Sequence, residues 1–393
     1  MQSASQGRRF SGAAALFFFT AKTRAKVIIF CKAITLSACV LLFFSCNTRA
    51  LPPQSEFVLG TVCSINLYES GTEELYAKLF ARLRALNDIF NNYSDFSEIS
   101  RVNKSAADKA AEVSQDFYNV LKRALEFARL TDGAFDPTVG PLMKLWGFGK
   151  DTRVPSAEEI EAAKKTVGWQ NVILTSQDAA GHESDAGQDA GGEQKHQAGQ
   201  KAAAPSVRFK KNGTSLDLGA IAKGYAADEL VRILRERKVK RAAVSLGGNV
   251  YVYGKKRGHS LWNVAIRDPF DPGKNAFMLK TKDATVVTSG GYERFFEQDG
   301  KRYCHILDPS TGRPAESGFV SVTIVSADSM TADALSTSLF VLGMEKISEI
   351  KKSHIAGGFD FVCVAADGTA YASQALKENL AALGGQKIVF VDW

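Results

Sequence analysis

Asp333 and Thr337 stand four residues apart in the run Ala332-Asp333-Ala334-Leu335-Ser336-Thr337, so a helix would project both from one face. A carboxylate beside a hydroxyl offers hard oxygen donors. With no His or Cys nearby, the pair suits Mg2+ better than zinc, because Mg2+ takes few protein ligands and completes its octahedron with water and phosphate oxygens. The same spacing also fits an ordinary helix start, with Asp333 completing the first turn and Thr337 bonding back to the helix. A second cluster, Leu216-Asp217-Leu218-Gly219-Ala220-Ile221-Ala222-Lys223-Gly224-Tyr225, falls where a strand is expected to turn into a helix, a place where backbone N–H groups and a lysine can meet phosphate. It is not a Walker A loop, since Tyr225 follows Gly224 where that motif has Lys-Ser/Thr.

His305 lies in Tyr303-Cys304-His305-Ile306-Leu307-Asp308-Pro309, just before the turn Ser310 to Pro314, a position from which an imidazole can face a cleft as acid or base. A lone histidine is more often structural, and spacing alone does not choose. The stretch Gly133 to Gly149 holds two prolines and the aromatics Phe135, Trp146 and Phe148. It is expected to be a long irregular loop whose exposed rings suit a planar ligand. Gly247-Gly248-Asn249 and the block Thr288 to Phe295 supply tight turns for close ligand approach.

Positioning such groups takes a folded body, and 393 residues with 45% hydrophobic and 23% charged content is ordinary globular chemistry. The net charge of +7 is no nucleic-acid footprint. Six basic residues and no acid precede Cys46, which leaves 43 basic against 42 acidic residues after it. That leading segment has a basic stretch from Lys22 to Lys32, an apolar run from Ala33 to Phe44 and then Ser45-Cys46, the layout of a secretory signal too short to span a bilayer. Ser45-Cys46 resembles a bacterial lipobox, which implies a signal over 1–45, lipid on Cys46 and a tether over 46–56; an uncleaved signal anchor and a cleaved signal without lipid remain open as alternatives. With Cys31 and Cys39 removed in the signal and Cys46 lipidated, three cysteines remain, Cys63, Cys304 and Cys363; they are odd in number and lack a C-x-x-C, so they read as buried thiols.

The catalytic body is expected over 57–393. Phe57 to Leu67 reads as a strand, and Leu75, Leu79, Leu83, Leu86 and Phe90 mark a helix within Thr72 to Asn92. Ser114 opens a second helix through Leu130. Arg241 to Tyr253, Trp262 to Arg267 and Val320 to Ser326 read as strands, with helix from Met330. Residues 178–204 contain no apolar side chain larger than alanine and read as a disordered insertion between the strand-like runs Asn171 to Thr175 and Val207 to Lys210. Hairpins mixed with helices, without regular strand-helix alternation, give an α+β fold of mixed, largely antiparallel sheets with packed helices.

Together these motifs, in order from about Leu59 to Gly343, resemble the FAD:protein FMN transferase (ApbE) family. The resemblance implies a T-fold-related architecture with an FAD cleft between two lobes, and an exported enzyme that uses Mg2+ to move FMN from FAD onto a threonine hydroxyl of a target flavoprotein with release of AMP. It places the metal on Asp333, Thr337 and the carbonyl of Ala220, FAD contacts on Leu59, Tyr93, Ala134, Phe135, Asp136, Asp217, Lys223 and Leu307, and the general base on His305 with a near-neutral pKa. Leu59 stands where the family commonly has methionine. Implied partners are membrane redox pump subunits or exported flavoproteins, met by an inner-membrane lipoprotein facing the periplasm. An FAD pyrophosphatase and a non-catalytic flavin-binding lipoprotein remain open as alternatives.

Overall fold

The computed structural model describes residues 50–148, 151–176, 204–256, 258 and 260–392; the export segment with Cys46, nearly all of the 178–204 insertion and His259 lie outside them. Residues from Ala50 onward form a compact unit of their own. Nine strands make its main sheet, and their order across the sheet is their order along the chain. They are β1 (Gln54–Val58), β2 (Thr61–Asn66), β3 (Ala242–Leu246), β4 (Asn249–Tyr253), β5 (Ala284–Gly290), β6 (Phe319–Ser326), β7 (Phe359–Ala365), β8 (Ala370–Ser373) and β9 (Ile388–Val391). Every neighbouring pair is antiparallel except β8 with β9, in line with the α+β expectation.

Side chains alternate across a strand, and here both faces are covered. Val287, Ile324 and Phe361 enter a large core shared with the helices, whereas Val286, Val325 and Val362 enter a second core. That second core also takes residues of a three-stranded sheet formed by Trp262–Arg267, Asn275–Thr281 and Leu380–Ala382. On the helical side, α1 (Glu73–Phe90) buries the expected Leu75, Leu79, Leu83, Leu86 and Phe90, and the Thr72 hydroxyl caps it by accepting from the Leu75 N–H at 3.2 Å. The helix α2 (Gln115–Leu130) is capped in the same way by Ser114. Next come α3 (Ala222–Glu236) and α4 (Ser329–Leu342); α4 packs against α3 and against β5 and β6, and it is small-residued and buried on nearly all sides.

Four local expectations change. Phe57 to Leu67 is a hairpin, with Leu59 (φ 56°) and Gly60 (φ 69°) as a two-residue turn, and a leucine there gives no turn signal. Its first strand begins at Gln54, so the tether gives up its last residues to β1. The Gly133 to Gly149 stretch contains a helix, Gly140–Trp146, with Pro141 in its first turn where a proline costs nothing. Its aromatics are core rather than exposed: Phe135, Trp146 and Phe148 are all buried. Leu216 to Leu218 form no strand, and Gly219 to Ile221 turn into α3, with the Ile221 N–H donating to the Leu218 carbonyl at 3.1 Å.

Val172–Thr175 and Ser206–Phe209 pair antiparallel with Thr175 opposite Ser206, so the two ends of the insertion are joined in a ladder. Cys63, Cys304 and Cys363 are free and buried. No helix among the described residues is long and apolar enough to cross a membrane.

Candidate functional site

Two hairpin turns open on one end of the main sheet. Leu59-Gly60 joins β1 to β2 and Gly247-Gly248 joins β3 to β4, and β2 pairs with β3 so the tips are adjacent. Gly247 (φ 61°) lies so close to Thr61 that a Cβ would fall 2.5 Å from its hydroxyl oxygen. Below these tips is a cavity of about 350 Å³, within the ordinary range of small-molecule sites. Each of Leu59, Tyr93, Ala134, Phe135, Asp136, Asp217, Ala220, Lys223, His305, Leu307, Asp333 and Thr337 lines it; Cys46 lies outside the described residues.

The buried Asp333 is held from two elements. Its Oδ2 accepts from the Gly224 N–H at 2.9 Å and its Oδ1 from Asn249 Nδ2 at 3.0 Å, while Lys223 Nζ stands 3.8 Å from Oδ1 and donates to the Gly219 carbonyl at 3.1 Å. Asp333 does not complete its own helix's first turn; Asp328 does that, accepting from the Thr331 N–H at 2.6 Å. The reverse tie comes from α3: Asp228 accepts from the Ser329 and Met330 N–H groups, both at 2.9 Å. Burial, with Asp328 nearby, pushes Asp228 up to about 7. The helices therefore clamp each other, Asp228 on the start of α4 and Asp333 on the start of α3. One turn past Asp333, the Thr337 hydroxyl lies 3.3 Å from Ser289 Oγ, which itself meets Ser336 Oγ at 2.8 Å.

Among the described residues no three His, Cys, Asp or Glu side chains gather as metal ligands. A cation at Asp333 would have one carboxylate, the Thr337 hydroxyl and main-chain carbonyls such as that of Ala220, with the rest of its shell left to water and substrate. Such a donor set suits a hard ion of the Mg2+ type rather than zinc.

His305 follows the hairpin Phe295–Gln298 and Lys301–Cys304, whose closing pair Phe295 and Cys304 sets it opposite Arg294. The Arg294 carbonyl accepts the His305 main-chain N–H at 3.0 Å and lies 3.1 Å from the ring Nδ1. A carbonyl oxygen only accepts, so Nδ1 carries the proton in the neutral ring and Nε2 keeps its lone pair. The buried Phe148 ring meets the imidazole edge-on at 6.5 Å. Burial, then the charges of Arg294 and Lys223, push the imidazole down to about 4, well below the near-neutral value expected from sequence.

Two further carboxylates line the cavity. Asp136 Oδ1 accepts from the Thr138 N–H and hydroxyl at 2.7 and 2.6 Å, and Oδ2 from the Trp169 N–H at 2.9 Å, so it shapes the loop and meets a ligand only at the cavity wall. Burial pushes Asp217 up, against the pull of the Gly219 N–H at 2.8 Å and of Asn92, Lys223 and Arg294. Tyr93 is 66% exposed, which makes it a rim residue. Sequence reasoning gave no role to Asn249, Ser289, Arg294 or Asp228. Asn249 and Ser289 lay inside segments valued for their glycines, and an asparagine directly after Gly-Gly was the available signal.

A sequence model of the ApbE family matches residues 59–359. The chain is 37% identical to the FAD:protein FMN transferase of Treponema pallidum (strain Nichols) over 320 residues, 77% of this chain and 82% of that protein. Against the FAD:protein FMN transferase of Salmonella typhimurium (strain LT2) it is 32% identical over 337 residues, covering 82% and 89%. Its fold is similar to the crystal structure of the ApbE protein from Thermotoga maritima (TM-score 0.68, 34% identity, 83% of this chain and 98% of that one). It is also similar to the flavin transferase ApbE from Vibrio cholerae (TM-score 0.67, 29% identity, 83% and 98%).

Proposed function

Because the chain belongs to the ApbE family of FAD:protein FMN transferases, we propose that its cavity takes FAD with Mg2+ and moves the FMN half onto a threonine hydroxyl of an acceptor flavoprotein, releasing AMP. One observation carries this reading: a carboxylate, a hydroxyl, a lysine and a histidine with a free ring nitrogen, from distant segments, open onto one cavity. Leu59, Tyr93, Ala134, Phe135, Asp136 and Leu307 would lie along the flavin nucleotide, with Asp217 and Lys223 also on FAD. Asp333, Thr337 and the Ala220 carbonyl would hold the metal, which when bound supplies charge neutralisation on the pyrophosphate.

The acceptor Oγ attacks the FMN-side phosphorus, an O–P bond forms, the P–O bond to AMP breaks, and the hydroxyl proton passes to Nε2 of His305. Lys223 would offset charge on the departing phosphate. A base with a pKa of about 4 is already unprotonated at neutral pH. In the free enzyme, whose pKa values govern kcat/KM, activity is therefore expected to persist from pH 7 to about 5 and to fall as His305 protonates near 4. Bound pyrophosphate opposes the Arg294 and Lys223 charges, so the acid limb of kcat is expected at higher pH than that of kcat/KM. A kcat/KM limb centred near pH 6.5 would contradict this assignment. Stability shares the sign: between about 6.5 and 4 the unfolded imidazole binds the proton first, so His305 costs stability as pH falls through that window.

The deciding assay incubates the body with FAD, Mg2+ and a threonine-bearing flavoprotein, and follows AMP together with flavin fluorescence on the denatured acceptor. Labelling is expected with the wild type. Asp333→Asn should lower it at least about 100-fold at limiting Mg2+, since even residues one layer behind a metal cost 10–100-fold in affinity. AMP and free FMN without labelled acceptor would mean that water takes the threonine's place and that the enzyme is a pyrophosphatase.

The same proposal includes export by residues 1–45, lipid on Cys46 and a periplasm-facing place on the inner membrane, with membrane redox pump subunits or exported flavoproteins as acceptors. Its support is the sequence of the leading segment together with the balanced charge after Cys46.

A further inference from the structure

The chain enters the body at the end of the main sheet opposite the cavity. The Leu51 N–H donates to the Gly71 carbonyl at 2.8 Å, Gln54 pairs with Ile65 at the far end of the first hairpin, and the cavity lies beyond the other end at Leu59 and Thr61. Strand β2 alone, at about 3.3 Å per residue, separates the two ends by about 20 Å.

Contacts gather a basic patch at this entry end. Glu69 pairs with Arg241 at 2.6 Å, and the Arg241 guanidinium, with Lys240 behind it, holds the Glu69 carboxyl below the usual range. Gly254 sits against the Lys240 carbonyl and is followed by Lys255 and Lys256, and its own carbonyl accepts from Trp262 Nε1 at 2.8 Å. The Trp262 ring lies 5.2 Å from that of Tyr68, closing the circle to Glu69. Two acids here are paired, Glu69 by Arg241 and Glu74 by Arg237 at 2.9 Å; Asp283 accepts from the Gly254 N–H at 2.7 Å and keeps its charge, one carboxylate against the four lysines that follow. Glu73 lies in the first turn of α1, where the helix N-terminus offsets its charge. Lys238, Lys240, Lys255 and Lys256 are exposed and make no ion pair among the described residues. Beside them Tyr68 is held at φ 50° and is 37% exposed, the amphipathic kind of residue that favours a headgroup layer.

We propose that this entry end is a membrane-facing surface that lies on anionic lipid headgroups and holds the cavity mouth away from the bilayer. The proposal builds on the lipid-anchor reading. Five residues from Cys46 to Leu51 reach at most about 18 Å, so a lipid on Cys46 keeps the entry end, and not the cavity end, within reach of the headgroups. Exposed lysines at that distance are attracted individually to anionic lipid. The occupant is thus a lipid surface, and the acceptor's threonine must be presented about a strand length above it.

The test uses the unlipidated body from Ala50, a compact unit by itself, so that the surface is measured without the anchor. Cosedimentation with phosphatidylglycerol-containing vesicles is expected at low salt, with loss at high salt and on pure phosphatidylcholine. Replacing Lys238, Lys240, Lys255 and Lys256 together by glutamine should weaken binding at least about tenfold, while the same change at the exposed Lys109, Lys122, Lys210 and Lys211 should leave it near wild type. FMN transfer to a soluble acceptor should be unchanged in both variants, which excludes misfolding. No binding to the anionic vesicles, or equal loss in both variants, overturns the proposal. Acyl labelling of Cys46 in cells is a separate measurement: its failure removes the anchor and leaves the vesicle result standing, whereas a labelled Cys46 with no vesicle binding removes the surface alone.

Discussion

His305→Gln is expected to lower the rate of flavin transfer by roughly 10²- to 10⁴-fold, the usual contribution of a positioned general base, with FAD affinity close to that of the wild type. The wild-type ring is fixed by one carbonyl, that of Arg294, which takes both its main-chain N–H and its Nδ1–H, and by the edge of Phe148. Glutamine keeps comparable bulk, and its main-chain N–H can still donate to that carbonyl. It lacks a basic nitrogen where Nε2 stands, so the substitution removes proton acceptance with little change of packing. Single-turnover labelling of an acceptor, alongside FAD titration, separates the two quantities. Transfer within tenfold of wild type would show that the threonine proton goes elsewhere. The variant should also lose less stability than the wild type between pH 6.5 and 4, because it has no imidazole to protonate on unfolding.

Gly224→Ala is expected to destabilise the body by about 3 kcal/mol, the upper part of the range for overpacking a close contact, and to disable the site at the same time. A Cβ on Gly224 would fall 2.3 Å from the Ser329 carbonyl oxygen and 2.6 Å from the Met330 Cα, both backbone atoms that no rotamer change can move. Relief requires α3 and α4 to move apart. That motion lengthens the Gly224 N–H bond to Asp333 and the bonds from Ser329 and Met330 to Asp228, leaving the buried Asp333 and the half-buried Asp228 carboxylates under-satisfied. Thermal unfolding should show a melting temperature several degrees lower, and Mg2+-dependent FAD binding should weaken in parallel. An unchanged melting temperature would mean that the helix crossing yields more readily than its backbone contacts imply.

What the sequence disclosed and what it hid have separate physical origins. The leucine spacing that foretold α1 and the Asp333 to Thr337 spacing on α4 are local periodicities, and both are seen in the fold. The turn at Leu59 was hidden because a left-handed leucine carries no compositional mark. The Gly140–Trp146 helix was hidden by the Gly and Pro that start it. Phe135, Trp146 and Phe148 read as exposed because no sequence pattern shows that Phe296 and Tyr303 pack over Trp146 from a hairpin 150 residues on. The low pKa of His305 has the same character, being set by burial and by Arg294 and Lys223 from other segments. The cavity's membership was legible motif by motif; the reciprocal clamp between Asp228 and Asp333, which spans the distance from α3 to α4, was not.

The ladder that joins Val172–Thr175 to Ser206–Phe209 also bears on how freely the chain between them can vary in length. With Thr175 fixed opposite Ser206, the chain between them begins and ends at one point of the surface, whatever its length. Closing such a loop costs only about 0.6 kcal/mol for each doubling of its length. The length of chain between these strands can therefore vary at little cost to the ladder that closes it.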